Sequence, residues 1–351
     1  MTIEEKLFHE FKAKLSNDYF DDEINIDDKH KKIVSSANNQ IKNNQKSFFL
    51  NFRNWDLQSD FSAPPQVSLT HLKVLGLKHL IKNIIKKILF FRNHQFNNAF
   101  KDDLKILELY GDEKILKKNQ VHKTPGCDSF FLFGKNYSTN SRWSRYAYLS
   151  SQIVKKNLFL DGGFHLDIGS YYGGFQSFLK KEFPKGNFIM VDFPHQLMRS
   201  YIFLNQMFPN SKHLVNEEID SEDTHNLNGC FIYIPTSKVD RINKFKIDLT
   251  TNFFSFGEMK RLDFMNYYKS EIINKSKIIY LANRFVSSPF FEKTYDTDTN
   301  VFDYLKEETH NIKYFDILPI GHFFAPKRTL FDIKRERPIG SPYFECILEK
   351  K

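Results

Sequence analysis

From residue 163 onward, short apolar runs alternate with helical segments, and this alternation constrains the fold more than any other feature of the chain. Strands are expected at 164–168, 188–191, 231–234, 247–250, 277–282 and 342–349, and helices at 175–183, 194–208 and 255–273. Strands that alternate with helices are joined by crossovers into a mostly parallel sheet. We therefore predict an α/β fold with a Rossmann-like sheet over residues 141–351, with a helix at 142–156 leading into it.

The first 140 residues differ from this part of the chain in composition and pattern. They are polar, rich in Lys and Asn, and carry apolar positions at helical spacing, with helices expected near the N-terminus and at 73–92 and 98–118. We predict that residues 1–140 form a mainly helical region that covers the substrate or mediates oligomerisation.

The segment 73–92 has an unusual charge pattern. Its basic side chains are Lys73, Lys78, Lys82, Lys86, Lys87 and Arg92, and it contains no acid. Its apolar stripe consists of Val74, Leu77, Ile81, Ile84, Ile85 and Ile88. Most amphipathic helices pack on their own protein, so a core helix with a solvated basic face is favoured. Peripheral contact with an anionic membrane stays open as the alternative.

Composition narrows the functional class. The net charge is +9, but 42 acidic residues are spread among 51 basic ones, which argues against a nucleic-acid partner. The three cysteines lie far apart, and their number and spacing fit a reducing compartment. The chain starts without an apolar signal core and has no run of about 18 apolar residues, so we expect a cytoplasmic protein.

The strongest local motif is the glycine-rich segment 167–174, which joins a predicted strand to a helix. Glycines at such a joint let the backbone turn tightly and approach a ligand closely. The segment lacks the spacing of a dinucleotide fingerprint and of a phosphate loop. Asp167 at the strand end suits a ligand amine, since an acid there would repel phosphates. A plain strand–turn–helix joint is the alternative.

Two further segments follow at the ends of later strands. Asp192 ends the next predicted strand, where an acid accepts hydrogen bonds from ribose hydroxyls, although a helix cap before Pro194 is an alternative role. The segment 252–259 follows another strand, so its polar side chains are expected at the carboxyl edge of the sheet. Ser255 and Glu258 also have the spacing of a capping box.

These segments together resemble the sugar O-methyltransferase family of bacterial surface-polysaccharide loci. The likeness covers roughly residues 140–290 and rests on 167–174, on 191–197 with Tyr201–Leu204 and Phe208-Pro209, and on 252–259. It implies S-adenosylmethionine as the cofactor, a sugar or nucleotide-sugar acceptor, and an antiparallel last strand. Ser170 and Tyr171 depart from the family, which usually has glycines at these positions.

The resemblance also implies roles for individual residues. The cofactor is expected to contact Asp167, Gly169, Ser170, Tyr171, Gly173, Gly174, Asp192 and Phe193. The acceptor is expected to contact Asn252 and Ser255. Apart from the resemblance, we expect the N-terminal helices, with Arg142 and Tyr146, to form the other wall. A methyl transfer to a hydroxyl needs a group that removes the proton, and the candidates are Glu258 and His322. No acid or histidine cluster has metal-ligand spacing, so no metal is expected.

Two other classes of protein stay open. A glycosyltransferase or nucleotide-sugar enzyme on a similar sheet is suggested by Asp296-Thr297-Asp298, which has the form of a D-x-D metal motif. A non-catalytic membrane-surface module is suggested by the segment 73–92 and the net charge. The ordered acids and glycines of 167–192 argue against the second class. A base-flipping nucleic-acid methyltransferase would need an Asn/Asp-Pro-Pro-aromatic segment, whereas Asn252 is followed by Phe-Phe-Ser.

Overall fold

The computed structural model describes residues 1–15, 28–45, 77–78, 81, 84–85, 95–119, 128–132, 135–139, 141–259, 261–286, 299–319 and 342–351. His322 and Asp296–Asp298 lie outside these residues, so the predictions about them stay predictions. By contacts, the chain divides into one compact unit of residues 1–38, 156–318 and 340–351 and a second of residues 39–155 and 319–339.

The described helices and strands are as follows. The α-helices span Ile3–Ala13 (α1), Asp28–Lys42 (α2), Gln95–Tyr110 (α3), Glu113–Lys118 (α4), Ser141–Lys155 (α5), Gly174–Glu182 (α6), Pro194–Met207 (α7), Glu217–Ser221 (α8), Arg261–Tyr268 (α9) and Glu271–Lys275 (α10). The strands span Asp128–Leu132 (β1), Lys135–Thr139 (β2), Phe164–Ile168 (β3), Asn187–Asp192 (β4), His213–Val215 (β5), Phe231–Pro235 (β6), Leu249–Phe253 (β7), Ile278–Arg284 (β8), His310–Ile317 (β9) and Tyr343–Lys350 (β10).

The first unit is built on an eight-stranded sheet with the order β5-β6-β4-β3-β7-β8-β10-β9. The strands from β5 to β8 are parallel, whereas β10 is antiparallel to both β8 and β9. The predicted mostly parallel sheet with an antiparallel last strand is therefore confirmed. The order reverses at β3, which has β4 on one side and β7 on the other, and open α/β sheets bind ligands in the crevice at such a reversal.

Both faces of this sheet are covered. On one face, the even-numbered positions of β3 and the odd-numbered positions of β4 pack with α9 and α10 in an apolar cluster that includes Ile168, Val191 and Phe264. On the other face, α1 packs on α7 and β6 through Phe11, whose ring lies 4.9 Å from Tyr201 and 6.1 Å from Tyr233. This packing leaves the carboxyl edge of the parallel strands to the connecting loops.

The second unit departs from the prediction at two places. The expected single helix 98–118 is two helices, α3 and α4, because Gly111 and Asp112 interrupt it and the Asp112 side chain caps α4 by accepting from the Lys114 amide. Residues 128–132 and 135–139, for which no strands were predicted, form the antiparallel pair β1 and β2. The predicted helix at 142–156 is confirmed as α5.

The basic segment 73–92 is described only in part. Residues 77–78, 81 and 84–85 are helical, as predicted. Leu77, Ile81, Ile84 and Ile85 are exposed, so at these four positions the expectation of a packed apolar stripe is wrong. In the described part of the chain, no helix is long and apolar enough to cross a membrane.

Candidate functional site

The turn after β3 has an unusual backbone. Gly169 and Gly173 lie in the left-handed region, with φ of 79° and 78°, and so does Tyr171, with φ of 55°. The Gly169 amide donates to the Val191 carbonyl of β4 at 2.8 Å, and the Gly173 amide donates to the Ser170 carbonyl at 3.1 Å. Left-handed backbone costs a residue with a side chain about 1–2 kcal/mol. The turn therefore carries strain at Tyr171.

Asp192 compensates for this strain from the end of β4. One carboxylate oxygen accepts from the Tyr171 amide at 2.7 Å and the other from the Phe193 amide at 2.8 Å. The Ser200 hydroxyl donates to the Tyr171 carbonyl at 2.6 Å. Burial raises the pKa of Asp192 to about 7, against the two backbone hydrogen bonds, which lower it. The cap of α7 is Phe193, which makes no side-chain cap hydrogen bond, so the alternative role of Asp192 as a helix cap is wrong.

Asp167 lies in β3, just before the same turn, and its carboxylate accepts hydrogen bonds from two side chains of the protein. Its carboxylate accepts from the Thr251 hydroxyl at 2.6 Å and from the Gln176 amide at 2.5 Å, and the residue is 4% exposed. Desolvation raises its pKa to about 7. His165 shares the Thr251 hydroxyl at 2.8 Å, and burial lowers the pKa of this histidine to about 3, so its ring is neutral. Asp167 therefore connects β3 to α6 and β7, and its predicted contact with a ligand amine stays a prediction.

Ser170 differs from its neighbours because its hydroxyl has no use inside the described protein. The residue is 3% exposed, yet its Oγ has no hydrogen-bond partner among the described residues. An unsatisfied buried hydroxyl costs about 1–3 kcal/mol. Such a group, in a turn at the reversal point of the sheet, is available as a hydrogen-bond partner for a ligand.

The segment 252–259 is fastened to the turn by Asn252. Its Nδ2 donates to the Ile168 carbonyl at 2.7 Å and to the Ser255 hydroxyl at 2.5 Å, while its Oδ1 accepts from the Phe256 amide at 3.0 Å and from Asn283 Nδ2 at 3.1 Å. Asn252 is fully buried. These hydrogen bonds hold the segment against the end of β3, and the predicted contact of Asn252 with an acceptor stays a prediction.

Ser255 closes the contact between the segment and the turn. Its hydroxyl donates to the Ile168 carbonyl at 3.2 Å, and a Cβ added to Gly169 would lie 2.3 Å from this hydroxyl oxygen. Ser255 precedes a short 3-10 helix, Phe256–Glu258, and makes no side-chain cap hydrogen bond, so the capping-box interpretation is wrong. The predicted helix 255–273 is also wrong in its extent.

The remaining predicted residues lie as follows. Glu258 is partly buried at the end of the 3-10 helix, and its catalytic role stays a prediction. Phe193 is partly buried, and its ring stacks on that of His195 with centroids 6.0 Å apart. Arg142 and Tyr146 lie one turn apart on α5, in the second unit, and their acceptor role also stays a prediction.

Three residues meet at the ends of β7, β8 and β10, and the sequence predicted only Phe254 there, as part of the segment 252–259. Phe254 follows β7 with φ of 73° and donates its amide to the Ala282 carbonyl at 2.8 Å. The Arg284 Nε donates to the Tyr343 hydroxyl at 2.8 Å, and the Phe254 and Tyr343 rings lie 5.4 Å apart. Only the sheet order brings these residues together, and no local motif marks Arg284 or Tyr343. Among the described residues, no three His, Cys, Asp or Glu side chains gather in a way that could hold a metal.

Known proteins resemble this chain in structure only. The chain matches no protein-family model and no curated protein sequence. Among solved structures, it is similar to a protein described as a sarcosine dimethylglycine methyltransferase from Galdieria sulphuraria (11% identity, 71% of this chain and 98% of that chain, TM-score 0.39). TrmK of M. capricolum, solved with S-adenosylhomocysteine, is similar over 58% of this chain and 68% of its own (11% identity, TM-score 0.32).

A third similar structure is the small RNA methyltransferase HEN1, with 14% identity over 59% of this chain and 25% of that chain and a TM-score of 0.36. Superpositions this loose carry no argument about activity.

Proposed function

We propose that this protein is an S-adenosylmethionine-dependent O-methyltransferase that acts on a sugar hydroxyl, either in a surface glycan or in its nucleotide-sugar precursor. The observation that carries the proposal is the junction of three strand ends at the reversal of the sheet. The turn after β3 is bound to Asp192 of β4 through the Tyr171 amide, and it is packed against Ser255 of the segment after β7.

The residues at this junction have chemistry that fits the cofactor. Each oxygen of Asp192 accepts one backbone hydrogen bond and retains a lone pair for a ribose hydroxyl. The buried hydroxyl of Ser170 supplies a polar group for the amino-acid end. Neither group repels the cationic sulfonium. When bound, S-adenosylmethionine supplies an electrophilic methyl group.

The acceptor hydroxyl must then be held in line with the methyl group and lose its proton. Its oxygen forms the new bond to the methyl carbon as the carbon–sulfur bond breaks, and the sulfur keeps the electron pair. We assign the proton to the carboxylate of Glu258, on the segment that Asn252 fixes beside the turn. His322 is the next candidate base.

The test is a methyl-transfer assay with S-adenosylmethionine and a panel of nucleotide sugars, with S-adenosylhomocysteine release as the readout. Glu258→Gln keeps the size of the side chain and removes its charge, so turnover should fall about 10²-fold or more while S-adenosylhomocysteine affinity stays constant. Glu271→Gln, a change at a largely exposed glutamate, is the matched control.

Two results would count against these assignments. Full turnover in Glu258→Gln would remove Glu258 from the chemistry and move the assignment to His322. Methylation of none of the sugars by a protein that binds the cofactor would contradict the sugar acceptor.

A further inference from the structure

Arg284 occupies the carboxyl end of β8, next to the segment that holds Glu258. It pairs with Tyr343 of β10 in the sheet register, and its Nε donates to the Tyr343 hydroxyl at 2.8 Å. The guanidinium carbon lies 5.4 Å from the centre of the Tyr343 ring. The stem packs beside Gly257, where an added Cβ would lie 3.6 Å from the Arg284 Cβ and Cγ. The side chain is therefore held in one orientation at this edge.

The charge of Arg284 is not neutralised by any acid in the described part of the chain. Two other arginines of the same unit show the usual arrangement, since Arg261 binds Asp303 through both terminal nitrogens and Arg241 binds Asp220 at 3.0 Å. The Tyr343 hydroxyl accepts a hydrogen bond from Nε of Arg284 and from no other nitrogen of that side chain. No described residue accepts from the two terminal nitrogens, and together they have the geometry that binds two oxygens of a carboxylate or phosphate.

The surroundings of Arg284 connect it to the reaction edge of the sheet. Phe254 lies in strained left-handed backbone and contacts Tyr343, the residue that orients the guanidinium. Gly257 and Asn283 join the 3-10 helix to β8 through a hydrogen bond of 3.1 Å. Residues held in rare backbone conformations cluster at functional sites. The cation therefore belongs to the edge where the acceptor would bind, on the far side of β7 from Asp192.

We propose that Arg284 binds an oxyanion of the acceptor, so that the enzyme acts on a charged sugar. This inference rests on the proposed function. The oxyanion is either the diphosphate of a nucleotide sugar or the carboxylate of an acidic sugar. Both bind through the terminal nitrogens of the guanidinium, with Tyr343 as the positioning residue.

The test uses full-length protein saturated with S-adenosylhomocysteine, titrated with uridine diphosphate or with glucuronate and followed by ligand-observed NMR. Arg284→Gln should weaken binding of one probe about 10-fold or more, the size of effect expected for hydrogen bonds to a charged group. The probe that responds identifies the source of the oxyanion. Arg261→Gln, which removes a cation that already has a partner, should leave both affinities unchanged. S-adenosylhomocysteine affinity should be the same in all three proteins.

The inference is overturned if the parent binds the cofactor product but neither probe, or if both variants weaken the probes equally, which would indicate general charge attraction. Failure of the parent to bind S-adenosylhomocysteine is a separate result that would count against the proposed function itself. Tyr343→Phe gives an independent check, because loss of the orienting hydroxyl should weaken the same probe as Arg284→Gln, by a smaller factor.

Discussion

At the scale of single residues, Asp192 has two tasks that depend on the same carboxylate. It holds the strained Tyr171 in place through the backbone amide, and it offers its remaining lone pairs at the carboxyl end of β4. A glycine in place of Tyr171 would adopt the left-handed backbone at no cost. The carboxylate therefore stabilises a turn whose backbone the sequence disfavours.

Ser170 allows a direct test of how the turn binds its ligand. If the hydroxyl contacts the amino-acid end of the cofactor, Ser170→Ala should weaken S-adenosylhomocysteine binding about 10-fold and leave binding of 5′-methylthioadenosine, which lacks that end, unchanged. Ser177→Ala is the matched control, because this buried hydroxyl already donates to the Gly174 carbonyl at 2.7 Å. Calorimetry measures both ligands, and equal affinity of Ser170→Ala and the parent for S-adenosylhomocysteine would refute the contact.

Asp167 predicts a pH dependence of stability. Its pKa in the folded protein is about 7, above its unfolded value, so unfolding releases a proton between about pH 4 and pH 7 and the free energy of unfolding falls as the pH rises through that window. Asp167→Asn removes this contribution. The amide oxygen introduced at position 167 can still accept from Gln176. The new N–H₂ group can donate to the Thr251 hydroxyl, which can then donate to the neutral ring of His165.

We expect the free energy of unfolding to fall between pH 5 and pH 7.5 by about 2 kcal/mol less in Asp167→Asn than in the parent. Urea unfolding at the two pH values measures the difference. The same loss in both proteins would show that Asp167 does not titrate in this range.

At the scale of elements, the segment after β7 shows what the sequence could and could not predict. A strand was predicted here at 247–250 and the polar residues were predicted from the motif, but the strand lies later, at Leu249–Phe253. The continuous helix 255–273 was not correct, because Asn252 and Asn283 take the amides of Phe256 and Gly257. Asn283 lies in β8, 26 residues after Gly257. A local sequence pattern therefore cannot show that the Asn283 side chain, and not a helical carbonyl, accepts from the Gly257 amide.

The contact between the turn and this segment predicts a coupling between Gly169 and Ser255. Gly169→Ala should cost roughly 2–4 kcal/mol, since it adds overlap with Ser255 to the penalty of left-handed backbone. Ser255→Gly in the same chain should remove the overlap and leave the backbone penalty. A double-mutant cycle by urea unfolding should therefore give an interaction energy of about 1 kcal/mol or more. Additive effects of the two changes would mean that these elements do not pack as described.

At the scale of the whole molecule, the parallel strands β3, β4, β6 and β8 were predictable because each contains a run of apolar residues. The strands that were missed lack this signal. β5 has three residues, and β9 is an edge strand whose side chains are mostly exposed. Neither therefore shows a clear pattern of apolar residues in the sequence. The acids at the strand ends were predicted from their positions. The hydrogen bond from Thr251 to Asp167 was not predicted, because only the sheet brings together these two residues, which lie 84 positions apart.

The central claim is that the reversal point of this sheet binds S-adenosylmethionine, and calorimetric titration tests it most directly. The parent should bind S-adenosylmethionine and S-adenosylhomocysteine with micromolar affinity. Asp192→Ala should weaken both by roughly 1–3 kcal/mol, the cost of losing a charged hydrogen-bond partner. Binding of neither compound by the folded parent, or unchanged affinity in Asp192→Ala, would contradict the claim.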